Sequence, residues 1–127
     1  MLTTHWTQTA RPLAPCRREG SLSRMTKPLV IVITGSTRGI GKGMAFLFAR
    51  LGARVVICGR REEKLEQTRA SIRDRLGVEV DTRAMTIRDP EAVTRLMGDI
   101  WNAHGRLDGL VNNSGGQFPQ AAIDFSV

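Results

Sequence analysis

The 127 residues contain no tyrosine, two cysteines and two histidines, and aromatic side chains make up 5% of the chain. Each scarcity excludes something. Without tyrosine there is no phenol to give or take a proton. Cys16 in a polar segment and Cys58 in an apolar run offer no disulfide framework, which suits a reducing compartment, and Cys58 reads as a small buried hydrophobe. His5 and His104 lie far apart with no cysteine nearby, so no metal-ligand spacing exists; His104 is expected at a helix C-terminus, where a cation is favoured. No apolar run approaches the roughly 20 residues that span a bilayer, so no membrane partner is expected.

Charge is plentiful but unevenly placed. Arg11, Arg17, Arg18, Arg24 and Lys27 against Glu19 alone put +4 of the net +7 into residues 1–27. With Pro12 and Pro15 breaking any helix, this stretch is expected to be a disordered extension outside the fold, the natural start falling at Met25. An Arg-rich, acid-poor leader for organelle import is the other reading of residues 1–24; otherwise the protein is placed in the cytoplasm. From Arg60 to Arg75 basic residues alternate with Glu62, Glu63, Glu66 and Asp74, as on a solvated helix face. The missing aromatic platform and the broken basic run argue against nucleic acid as a partner, and RNA binding through the tail stays the weakest reading.

The body, residues 28–127, has the regularity of one α/β domain. Leu29–Thr34 is a β-branched run suited to a strand buried on both faces; Gly35–Gly43 is a glycine turn; Met44–Leu51 is a helix whose Phe46, Leu47 and Phe48 face the sheet. Arg54–Cys58 gives a second strand and Glu62–Leu76 a polar helix with Leu65, Arg69, Ile72 and Leu76 on one face, stopped by Gly77. Val78–Ile87 is a third strand, Asp89-Pro90 starts a helix with Val93, Leu96, Met97 and Ile100 inward, and Leu107–Val111 is a fourth strand. The alternation predicts a Rossmann-type parallel sheet with helices on both faces, incomplete after about its fourth strand. A flavodoxin-like sheet begins the same way.

The first connection reads Gly35-Ser36-Thr37-Arg38-Gly39-Ile40-Gly41-Lys42-Gly43. Missing side chains let the backbone approach a pyrophosphate, and the helix that follows offers free N–H groups and a positive dipole end. Ser36 and Gly43 break the G-x-x-x-x-G-K-[ST] template, and G-x-G-x-x-G does not align either. What remains is Thr34 followed by Gly-x-x-x-Gly-x-Gly. With Asn112-Asn113-Ser114-Gly115 after the fourth strand, where Ser114 replaces the usual alanine, the sequence resembles the short-chain dehydrogenase/reductase family.

That resemblance implies a cofactor site formed by Gly35, Ser36, Thr37, Arg38, Gly39, Ile40 and Gly41, with Asn112, Asn113, Ser114 and Gly115 bracing the sheet beside it. A member preferring NAD usually carries an acid where Gly59 stands; Arg60 follows, so Arg60 and Arg38 become the candidates for holding a 2′-phosphate, with Arg61 either a further cofactor contact or a solvated residue at a helix start, and NADP(H) is the expected cofactor. Thr86 departs from the family's usual Asp at the adenine, where its hydroxyl can still accept a hydrogen bond and Ile87 can pack on the ring. The family's Tyr-x-x-x-Lys pair has no counterpart here: Lys27, Lys42 and Lys64 all precede the third strand. No catalytic residue is therefore assigned.

Asn113 to Phe118 looks most like the enoyl-CoA and dienoyl-CoA reductases, which would set Gln117 and Phe118 at the mouth of a substrate pocket; packing of Phe118 against the neighbouring helix is the equal alternative. The expected parent is a homo-oligomeric, NADPH-dependent reductase of enoyl-CoA-like or carbonyl substrates, with the chain its inactive nucleotide-binding half. The alternative is a non-catalytic dinucleotide-binding module, complete as written. Truncation is favoured because strand four would otherwise be an exposed edge.

Overall fold

The computed structural model describes residues 27–116. The N-terminal extension, His5, Cys16, Gln117 and Phe118 lie outside the described residues. Four strands, β1 (Val30–Thr34), β2 (Arg54–Gly59), β3 (Asp81–Ala84) and β4 (Gly109–Val111), alternate with α1 (Gly39–Arg50), α2 (Glu62–Leu76) and α3 (Pro90–His104). All pairings are parallel and the order is β3-β2-β1-β4. This settles the choice between the two topologies, because a flavodoxin-like sheet sets its third strand against its first. Here β3 lies beyond β2 and β4 takes the far side of β1.

Two apolar layers follow from the period of two along the strands. Ile31, Ile33, Val55 and Ile57 meet Ala45 and Ala49 of α1 and Leu65 and Ile72 of α2. On the other face Val30, Val32, Val56 and Cys58 meet Leu96 and Ile100 of α3. Every residue of β1 is buried, since neighbours flank it and helices cover it. Among the described residues β3 and β4 are the edges, and Leu110 of β4 is left 45% exposed. No helix among them is long and apolar enough to cross a membrane.

Several boundaries differ from the sequence reading. Helix α1 begins at Gly39 rather than Met44. Three glycines in five residues have poor intrinsic helicity, yet Gly41, Ala45 and Ala49 form its buried ridge and allow close approach to the sheet. Phe46 and Phe48 pack at the flanks of that ridge and Leu47 is exposed. On α2 the buried position falls to Thr68, whose hydroxyl donates to the Lys64 carbonyl (2.9 Å), while Arg69 turns out to Glu79 (2.9 Å). Strand β3 keeps four of the ten residues expected of it, because among the described residues one side of it has no partner strand. Strand β4 is likewise cut to Gly109–Val111. The start of α3 follows the sequence reading: Asp89 accepts from Glu91 N–H (3.0 Å) and Ala92 N–H (3.2 Å) ahead of Pro90.

Asp108 fastens the start of β4. Its carboxylate accepts from Val30 N–H (2.8 Å) and from the Arg106 guanidinium (2.6 Å), and its own N–H donates to the Val30 carbonyl (2.9 Å). The Arg106 contact, followed by the Val30 N–H, holds the carboxyl below the usual aspartate range. A carboxyl whose folded value is lowered stabilises the fold fully above its unfolded value, about 4, and loses that contribution as pH falls through the folded value. Asp108→Asn is therefore expected to flatten the acid limb of the stability curve below about pH 4, as followed by urea melts at stepped pH. An unchanged acid limb would assign acid sensitivity to other carboxylates.

Candidate functional site

The C-terminal ends of the four strands bring the sequence-predicted residues to one end of the sheet. Gly35, immediately after β1, has φ +65°, and a Cβ there would lie 2.9 Å from Ser114 Oγ. The left-handed backbone and the close approach of Ser114 both favour glycine. Gly41, in the first turn of α1, lies against the Gly35 carbonyl and the Asn113 amide, so any side chain would collide with them. Gly39, φ +55°, has nothing within 4 Å of where a Cβ would point. The loop thus presses inward at Gly35 and Gly41 and opens outward at Gly39.

The Asn-Asn-Ser-Gly segment is tied to this loop. Asn113 Nδ2 donates to the Gly35 carbonyl (3.1 Å) and the Thr34 carbonyl (3.3 Å). The backbone N–H groups of Asn113 and Ser114 both donate to Thr34 Oγ1 (3.0 Å each), which donates in turn to the Val111 carbonyl (3.3 Å). Thr34 is the hub of this bracing, yet it stood in the sequence only as the residue preceding the glycines. The available signal was a hydroxyl closing the aliphatic run Val30-Ile31-Val32-Ile33. Asn112 and Gly115 are exposed beside it.

Ser36 is placed inside rather than toward solvent. Its hydroxyl lies within bonding distance of the Ile33 carbonyl (3.0 Å), the Cys58 carbonyl (3.2 Å) and Cys58 N–H (3.0 Å), joining the ends of β1 and β2. Burial pushes the neighbouring Cys58 thiol up to about 11 against the opposing pull of Arg83, so it stays protonated. Thr37 sits against Gly59, while Arg38, Ile40, Arg60 and Arg61 are exposed. Thr86 and Ile87 fall beyond β3, in the turn before α3 rather than on the strand.

The electrostatics differ sharply among the three helix starts. Helix α3 is capped by Asp89, and α2 carries Glu62 and Glu63 in its first turn. Helix α1 has Arg38 at its N-cap with no side-chain bond and no acid in its first turn. Its free N–H groups and positive dipole end are unanswered within the described residues, at the point where the chain leaves β1 between β2 and β4. Among the described residues no cluster of three metal-ligating side chains exists.

A parallel sheet in the order β3-β2-β1-β4, with a glycine turn at the strand where the order reverses, defines a Rossmann-type α/β fold. The family model for short chain dehydrogenases matches residues 29–127, and the chain belongs to that family. It is 41% identical over 109 residues to a probable 2,4-dienoyl-CoA reductase 3 of Caenorhabditis elegans, covering 85% of this chain and 34% of the relative. A probable 2,4-dienoyl-CoA reductase of Bacillus subtilis is 39% identical over 69% of this chain and 34% of its own length. L-sorbose reductase from Gluconobacter frateurii, solved in complex with NADPH and L-sorbose, superposes with a TM-score of 0.70 at 32% identity, over 79% of this chain and 38% of the reductase. The chain thus spans about a third of the length of the curated relatives it matches.

Proposed function

We propose that this chain carries the NADP(H)-binding part of a short-chain reductase. The observation that carries the reading is the uncapped, acid-free start of α1 facing outward beside Arg38, with Gly59-Arg60 at the end of the adjacent strand. Free N–H groups at Gly39 to Gly41 suit a pyrophosphate, and the open space over Gly39 admits it. Arg60 and Arg38, both exposed, offer guanidinium forks to a 2′-phosphate, and no carboxylate stands at residue 59 to repel it. The bound cofactor supplies a hydride; the residues of this chain bind and orient it. Further support comes from the sorbose reductase, solved with NADPH, and a metagenomic short-chain oxidoreductase, solved with NADP.

For the parent, reduction of an enoyl-CoA-like or carbonyl substrate is supported by the names of the dienoyl-CoA reductase relatives. The Tyr-x-x-x-Lys pair is not among these 127 residues, which contain no tyrosine.

Titration of the purified chain with NADPH and NADH, read by nicotinamide fluorescence, tests the cofactor. NADPH is expected to bind at least about tenfold tighter, the worth of one charge-assisted contact. Equal binding, or none, would remove the proposal.

A further inference from the structure

The base end of the site departs from a carboxylate readout. The sheet order puts the chain leaving β3 next to Arg60 after β2, and Arg60 next to the start of α1 after β1; in the NADP(H) reading, with phosphates at α1 and the 2′-phosphate at Arg60, the base would lie over the chain leaving β3. Met85 N–H donates to the Gly59 carbonyl (2.8 Å), which ties that chain to the residue before Arg60. The next side chain is Thr86. Its Oγ1 accepts from Arg88 N–H (3.3 Å) and its carbonyl accepts from Asp89 N–H (3.3 Å), so the turn fixes it in place. Beside it Ile87 is 47% exposed, an apolar face on which a purine can lie.

A hydroxyl whose oxygen already accepts an N–H keeps its proton to give and a second lone pair to offer. It can accept from a 6-amino group or donate to a 6-oxo group. A carboxylate held opposite the C6 substituent accepts alone: there it bonds a 6-amino group and sets oxygen against oxygen with a 6-oxo group. We infer that Thr86 makes this a base-tolerant dinucleotide site, one that takes a 6-oxopurine cofactor about as well as the adenine form. The inference rests on the NADP(H) reading of the same site and extends it to the base.

The test is competition of NADP and of nicotinamide hypoxanthine dinucleotide phosphate against NADPH fluorescence, on the full chain and on Thr86→Asp. The aspartate can still accept Arg88 N–H, and the ratio of the two affinities cancels any general weakening by its charge. The two competitors are expected within about threefold of each other on the native chain, and at least about tenfold apart, adenine favoured, on Thr86→Asp. A tenfold adenine preference on the native chain, or a ratio that Thr86→Asp leaves unchanged, overturns the assignment while the cofactor reading stands. Absence of NADPH binding overturns both. If Thr86→Asp fails to fold, by circular dichroism, the native ratio alone decides.

Discussion

Gly41→Ala is expected to lower the melting temperature by roughly 10 to 20 °C and to weaken NADPH binding by more than about tenfold. A methyl group at residue 41 would be forced onto the Gly35 carbonyl and the Asn113 amide. Neither neighbour yields easily, since Asn113 holds the Gly35 and Thr34 carbonyls and its backbone is held by Thr34 Oγ1. The first turn of α1 must therefore lift from β1, which strains the loop and moves its free N–H groups. Overpacking of this kind costs about 3 kcal/mol at the upper end of its usual range. Gly43→Ala supplies the control: two residues on along α1, a Cβ meets nothing within 4 Å. Alanine there is expected to raise the melting temperature by a few degrees, following its roughly 1 kcal/mol advantage over glycine inside a helix. Similar melts for the two variants would show that close packing at Gly41 does not hold the loop.

The contrast between these glycines also marks how far the sequence could be read. Spacing announced a glycine turn between a buried strand and a helix, and the strand order then followed the family's pattern. It did not separate Gly41, which packs, from Gly39, which opens, because a missing side chain looks alike in both roles. Its place in the loop groups Ser36 with the ligand contacts, yet its hydroxyl is spent between β1 and β2. The bracing roles of Thr34 and Asp108 leave no local signal, since the groups Thr34 ties lie 77 to 80 residues away and Val30, which Asp108 fastens, lies 78 away. Local pattern reveals period and punctuation; long-range polar ties emerge with topology. For the same reason β3 is shorter than its β-compatible sequence suggests, since nothing local signals that it stands at an edge among the described residues.

Gly59→Asp is expected to reverse the cofactor preference, weakening NADPH by roughly 10- to 100-fold while leaving NADH unchanged or tighter. Residue 59 ends β2, and a Cβ there would lie 3.2 Å from Thr37 Cγ2 and 3.5 Å from Leu65 Cδ2. The threonine methyl needs to move by a few tenths of an ångström, so the fold should survive the change. An aspartate at this place accepts the ribose 2′-hydroxyl of NADH but faces the 2′-phosphate of NADPH with like charge. It also competes for Arg60, the adjacent guanidinium, so attraction is lost as repulsion is gained. A hydrogen bond to a charged group is worth about 1.5 to 3 kcal/mol, which sets the expected range. Parallel titrations of native and variant chains with both nucleotides, at fixed ionic strength because exposed charges are screened, give the ratio directly. An unchanged NADPH affinity in a folded Gly59→Asp chain would mean that the 2′-phosphate is held elsewhere, with Arg38 in the glycine loop and Arg61 at the start of α2 the other exposed cations to examine.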